Sequence, residues 1–172
     1  MTYLAKSMML VAGLSLAACT NAGRFDNDPA AGAGSGVNTS SAIAGTASDP
    51  LSPLYFQQTI GDRVLFAVDQ HTLNEDAKRT LDGQASWLTT NTDYNVVIEG
   101  HADEQGTREY NLALGARRAN AVREYLLSRG LAGTRMKTVS YGKERPIEIC
   151  SEEACYAKNR RAVTLLSSGL SG

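Results

Sequence analysis

The sequence predicts an α+β fold over residues 54–168, a two-layer sandwich with a mixed parallel and antiparallel sheet and helices on one face. Two observations predict it. Short runs rich in apolar residues alternate with stretches at helical spacing, in the order strand-helix-strand, helix-strand, strand. Turn residues punctuate them, notably Gly130 and the Gly142 to Pro146 stretch. The 172 residues, 42% of them apolar, suffice for one modest core plus appendages, and no internal repeat is visible.

Residues 1–18 are an export signal: Lys6 near the start, an apolar run from Met8 to Ala18, and small residues before Cys19. The run is too short to span a membrane. Leu16-Ala17-Ala18-Cys19 resembles the bacterial lipobox, which implies an acylated Cys19 as the first mature residue; a plain cleavage site with an incidental cysteine is the alternative. Several acyl chains would anchor the protein stably, whereas one binds membranes only marginally. Thr20 stands where an aspartate usually signals inner-membrane retention in enterobacteria, so the outer membrane is expected, with the folded head in the periplasm. From 19 to 53 the composition turns to Gly, Ala, Ser, Thr and Asn with Pro29, Pro50 and Pro53. Such a segment cannot bury a core and reads as a flexible tether. Fully extended it would reach about 100 Å.

The head opens with a short turn-forming segment at Leu54 and a strand over Arg63 to Val68, whose nearly continuous apolar residues predict a central position. Asn74 caps a helix with Glu75 and Asp76 in its first turn, and Asn91 stops it. Tyr94 to His101 is the second strand. A long helix follows from about Glu109 to Ser128, ended by Gly130 in the place of a left-handed cap. Met136 to Tyr141 is the third strand, then comes a short cysteine-flanked segment, and Arg160 to Leu166 is the last strand.

Charge excludes whole classes of partner. With 17 Lys and Arg against 18 Asp and Glu, no global field favours nucleic acid or an anionic membrane surface. Removal of residues 1–18 takes away Lys6 and no acid, leaving 16 bases against 18 acids and a charge of −2. No cofactor is implied, and no G-x-S-x-G elbow or similar catalytic setting occurs. Cys150 and Cys155 are even in number once Cys19 is lipidated, so a local disulfide is expected after export. It would stabilise by roughly 2 kcal/mol through its small loop; a redox or metal role is the alternative, without supporting spacing. His101 and Asp103 fall on one face by strand alternation, yet no third metal ligand is evident, and His101 reads as a polar residue lining the pocket or the sheet.

The long helix carries the clue. On a wheel of about 100° per residue, Leu114, Ala121, Val122 and Tyr125 share one stripe, and Arg118 lies in its middle. A guanidinium on a core-facing stripe is costly unless something negative meets it. Asp103, leaving the preceding strand, is the nearest acid by topology. The two would form either a structural salt bridge or a mouth for a zwitterion, the ammonium meeting Asp103 and the carboxylate Arg118.

EGHADEQGTREYNLALGARRANAVREYL, VSYGKERP and AKNRRAV together resemble the peptidoglycan-associated lipoproteins of the OmpA-like family, over about Val64 to Val163. The resemblance implies a βαβαββ sandwich and non-covalent binding of the meso-diaminopimelate side chain of peptidoglycan. By motif position it assigns Asp103 to the ammonium and Arg118 to the carboxylate, with Asn111 and Leu114 completing the pocket. Phe66 and Asp69 match an aromatic and an acid near the ligand, although Asp69 also suits a turn cap. Ala67 departs from the acid that many members have there. Arg160 and Arg161 would contact glycan or a partner, at least one of them being merely solvated. The resemblance further implies TolB and other Tol proteins as partners, with roles in envelope integrity and cell division. A wall-binding OmpA-like lipoprotein without Tol partners is the alternative, against which HADEQGT and KNRRA argue. A wall-cleaving periplasmic enzyme would need a nucleophile or metal triad that the sequence does not supply.

Overall fold

The computed structural model describes residues 44–168. The signal, Cys19 and the tether as far as residue 43 lie outside the described residues. The expected boundary at Leu54 falls inside a packed segment. The buried Trp87 indole N–H donates to the Pro50 carbonyl at 2.7 Å, and Ser52 caps the short helix α1 (Pro53–Tyr55). An indole donor taken out of water needs an acceptor, which draws the chain back along the head. α1 continues as a π-helical turn, Phe56–Gly61, and Phe56 packs on Trp87 with ring centres 5.0 Å apart.

The sheet comprises β1 (Arg63–Leu65), β2 (Tyr94–His101), β3 (Met136–Gly142) and β4 (Arg161–Ser168), in the order β1-β4-β2-β3. β2 and β3 run parallel; β4 is antiparallel to both β1 and β2. The expectation of a central β1 is corrected: it is a three-residue edge strand pairing with β4. Val64 faces the core while Arg63 and Leu65 are exposed. The apolar run goes on into Phe66, which has already left the strand, so continuity reflected a strand plus an anchor rather than burial on two faces.

α2 (Glu75–Thr90) starts at Asn74, whose side chain accepts from Ala77 N–H, and stops at Asn91. α3 (Arg108–Ser128) starts at a Thr107 cap. It ends in a Schellman motif: Leu131 N–H donates to Leu126 C=O and Gly130 N–H to Leu127 C=O, with Gly130 at φ +94°. The cysteine-flanked segment contains a further short helix, α4 (Glu153–Asn159). Leu81 and Leu88 of α2, Val122 and Leu126 of α3, and Val96 and Ile98 of β2 are fully buried in one core.

α3 lies on the sheet backbone to backbone. A Cβ on Gly100 of β2 would sit 1.8 Å from the Gly115 carbonyl oxygen, and one on Gly115 would sit 2.4 Å from Ser140 Oγ. Only hydrogen fits at Gly100, because the obstacle is a main-chain carbonyl that cannot turn aside. Gly100→Ala should therefore destabilise the head by about 3 kcal/mol or more in urea unfolding; a loss below about 1 kcal/mol would mean that the helix can lift off the sheet cheaply.

Candidate functional site

The buried stripe of α3 carries Asn111, Leu114, Arg118, Ala119, Val122 and Leu126. Ala121 and Tyr125, expected in it, are only half-buried. Arg118 is 0% exposed. Its Nε donates to Gln70 C=O at 2.8 Å, Nη1 to His101 C=O at 2.8 Å and Nη2 to Ala67 C=O at 3.2 Å. The Phe66 ring centre lies 5.2 Å from the guanidinium carbon. Burial lowers the Arg118 pKa to about 10, with the Asp103 charge acting against that shift, so the group stays cationic at neutral pH.

Asp103 does not pair with Arg118. Its Oδ2 accepts from Arg160 Nη1 at 3.1 Å, both side chains being buried, and Oδ1 accepts from Gln105 N–H at 3.3 Å. Arg160 also pairs with Glu153 and donates to Phe66 C=O. The expectation that Arg160 or Arg161 is solvated is corrected, since both are buried. Asn111 donates to Gln105 C=O at 2.7 Å and so fixes the loop after β2, and Leu114 is buried beside it on α3. Asp69 is exposed, sits in the left-handed region at φ +55°, and accepts the Tyr110 hydroxyl. Phe66, Asp69, Asp103, Asn111 and Arg118 thus belong to one contiguous set of contacts.

His101 divides between two places. Its carbonyl accepts from Arg118, while its imidazole stacks on Tyr141 with centres 5.7 Å apart and neither ring nitrogen makes a hydrogen bond. The β2–β3 register shifts between Gly100 and His101, where the strand ends. Nε2 is 3.4 Å from Glu99 Oε2, and Arg145 lies over the Tyr141 ring.

Sequence reasoning missed the clamp formed by Asn159 and Arg160. Fully buried Asn159 donates to Glu104 Oε1 and Glu148 C=O and accepts from Ile147 N–H. Asn-Arg-Arg before an apolar run signals polar groups entering a strand, but which partners they take depends on loops distant in sequence. Cys150 and Cys155 are disulfide-bonded, and the loop they close contains Glu153. No cluster of three metal-ligating side chains occurs among the described residues. A hollow of about 460 Å³ lined by Arg108, Leu112, Ser140 and Tyr141 contains none of the predicted site groups.

The buried Arg118 cation keeps two of its five N–H donors without a hydrogen-bond partner, and a planar pair of donors of this kind suits a carboxylate.

Burial, then the Arg161 and Arg145 charges, depress the His101 pKa from 6.5 to about 4. Because the folded pKa lies below the unfolded one, the folded state takes up its proton later. Stability is therefore full above pH 6.5 and declines as pH falls towards 4, by up to about 1.4 kcal/mol per pH unit. Urea unfolding from pH 7 to 4 should show this slope, and His101→Phe should flatten it; an unchanged slope would place the titrating group elsewhere.

Residues 65–160 match the family model described as the OmpA family. The chain is 49% identical over 157 residues to a peptidoglycan-associated lipoprotein of Rhizobium meliloti (strain 1021), covering 91% of this chain and 84% of that one. It is 48% identical over 159 residues to the protein of the same name from Mesorhizobium japonicum, covering 92% and 89%. The crystal structure of the peptidoglycan-associated lipoprotein from Burkholderia pseudomallei superposes with a TM-score of 0.63 at 37% identity, covering 69% of this chain and all of that one. With the fold, the motif-bearing helix and these likenesses in agreement, the chain belongs to the OmpA family and, within it, to the peptidoglycan-associated lipoproteins.

Proposed function

We propose that this chain is an outer-membrane lipoprotein that binds peptidoglycan non-covalently, at the free zwitterionic centre of meso-diaminopimelate, and tethers the membrane to the wall. The observation that carries the reading is the buried Arg118 guanidinium: its contacts are neutral carbonyls and a ring, and no carboxylate forms an ion pair with it among the described residues. Such a cation suits an incoming carboxylate. Asp103 and Asp69 supply negative charge for the ammonium, while Phe66, Leu114 and Asn111 frame the mouth and His101 contributes its carbonyl. The relatives' names associate those proteins with peptidoglycan, and the matched family segment spans all of these residues.

In this reading Cys19 bears the lipid, the chain from residue 19 up to the Pro50–Pro53 segment that packs on the head forms the tether, and binding rather than catalysis is the activity. Association with TolB and other Tol proteins, in support of envelope integrity and cell division, belongs to the same proposal. It draws on likeness to relatives covered over 84% and 89% of their length.

Titration calorimetry of the full-length chain in detergent with a meso-diaminopimelate muropeptide tests the site. Wild type should bind without turnover, and Asp103→Ala and Arg118→Lys should each weaken binding at least about tenfold. Arg118→Lys keeps the charge but loses the planar fork and with it main-chain contacts, so urea unfolding of the variant separates lost recognition from lost folding. Binding that survives both changes in folded protein would make these two residues structural and move the wall contact elsewhere.

A further inference from the structure

No anion can reach Arg118 as the structure stands, although the proposed recognition depends on it. Its cover is the segment 66–70: the Ala67 and Gln70 carbonyls and the Phe66 ring lie on the guanidinium, while Val68, Asp69 and Gln70 face solvent. This strap closes on itself through Gln70 N–H to Ala67 C=O at 3.1 Å. Asp69, at its crest, adopts a left-handed backbone uncommon for a residue other than glycine. One side-chain contact ties that crest to α3, the Tyr110 hydroxyl donating to the Asp69 carboxylate.

The charges at the mouth are unequally committed. Asp103 is neutralised by Arg160, whereas Asp69 meets a neutral hydroxyl. Tyr110 is 45% exposed, with Arg117 over its ring, so its hydroxyl is not held by core packing.

We propose that Tyr110 is the latch of this site: its hydroxyl holds on Asp69 the place that the ligand's ammonium takes, and exchanging one for the other releases the crest from α3, so that the ligand's carboxylate can replace the Ala67 and Gln70 carbonyls on Arg118. The inference rests on the wall-binding reading. An ammonium forms a charge-assisted hydrogen bond where the phenol forms a weaker one, so a zwitterion drives the exchange and a simple anion does not. Asp103, shared with Arg160, keeps the lesser part of the negative charge at the mouth and orients Arg160, and through it the Phe66 end of the strap.

The test uses the full-length chain and two probes, a meso-diaminopimelate muropeptide and the same muropeptide acetylated on the free amine. Tyr110→Phe should bind both probes about threefold to tenfold tighter, because opening no longer breaks a hydrogen bond. Hydrogen exchange of the strap amides should quicken with it. In wild type, acetylation should weaken binding at least about tenfold, and Asp69→Asn should cut that difference to about threefold or less; asparagine tolerates the left-handed backbone, so the fold persists. Weaker or unchanged binding in Tyr110→Phe overturns the latch, as does an acetylation effect that stays above about threefold in Asp69→Asn. If wild type binds neither probe, the wall-binding reading falls and the latch with it.

Discussion

The buried guanidinium of Arg118 is the constraint around which the rest of the head is arranged. A desolvated charge must be hydrogen-bonded, and here three carbonyls from two separate segments converge on it. Each carbonyl turned to Arg118 is lost to other pairing. That accounts for the brevity of β1: beyond Leu65 the backbone turns towards the arginine, so Ala67 and Gln70 leave the sheet and form the strap. It also gives β2 its termination, since the last residue of that strand, His101, directs its carbonyl to the same group.

Bringing α3 close enough for an arginine on its axis-facing side to meet strand-end carbonyls requires the helix to ride directly on β2. Gly100 and Gly115 permit this, each leaving room for the other's main chain. Packing and site are therefore one feature. A side chain at either glycine would lift the helix and draw Arg118 from its acceptors, weakening the site before the distant core around Leu126 and Leu88 was disturbed.

The parts legible in the sequence are those set by local periodicity and caps. Arg118 declares itself by lying among apolar residues at helical spacing, and Asn74, Thr107 and Gly130 mark ends whose backbone chemistry is local. What escaped depends on register between distant segments. Asp103 could be matched to Arg118 by topology, but its actual partner, Arg160, reaches it from the far side of a disulfide-closed loop that no periodicity describes. His101 reads in the sequence as a polar strand-end residue, but that its carbonyl serves Arg118 and its ring stacks on Tyr141 depends on partners distant in sequence. The edge position of β1 was hidden because an apolar run reads the same whether it is sandwiched between neighbours or merely anchored by a phenylalanine.

The mouth holds two acids in two states, one tied to a buried arginine and one to a phenol. The arginine is itself shared with Glu153, inside the disulfide loop, so the loop that trims the surface also holds down the charge beside the site. On the proposed reading, a closed form held in this way competes with the ligand: each contact that keeps it ordered must be given up or rearranged before a zwitterion can bind. The cost of opening is then subtracted from the affinity of each head. On the proposed reading that suits the task, because many membrane-held heads facing one polymer gain in avidity what each lacks alone. On the same reading a single tight site would release the wall too slowly for an envelope that has to grow and divide.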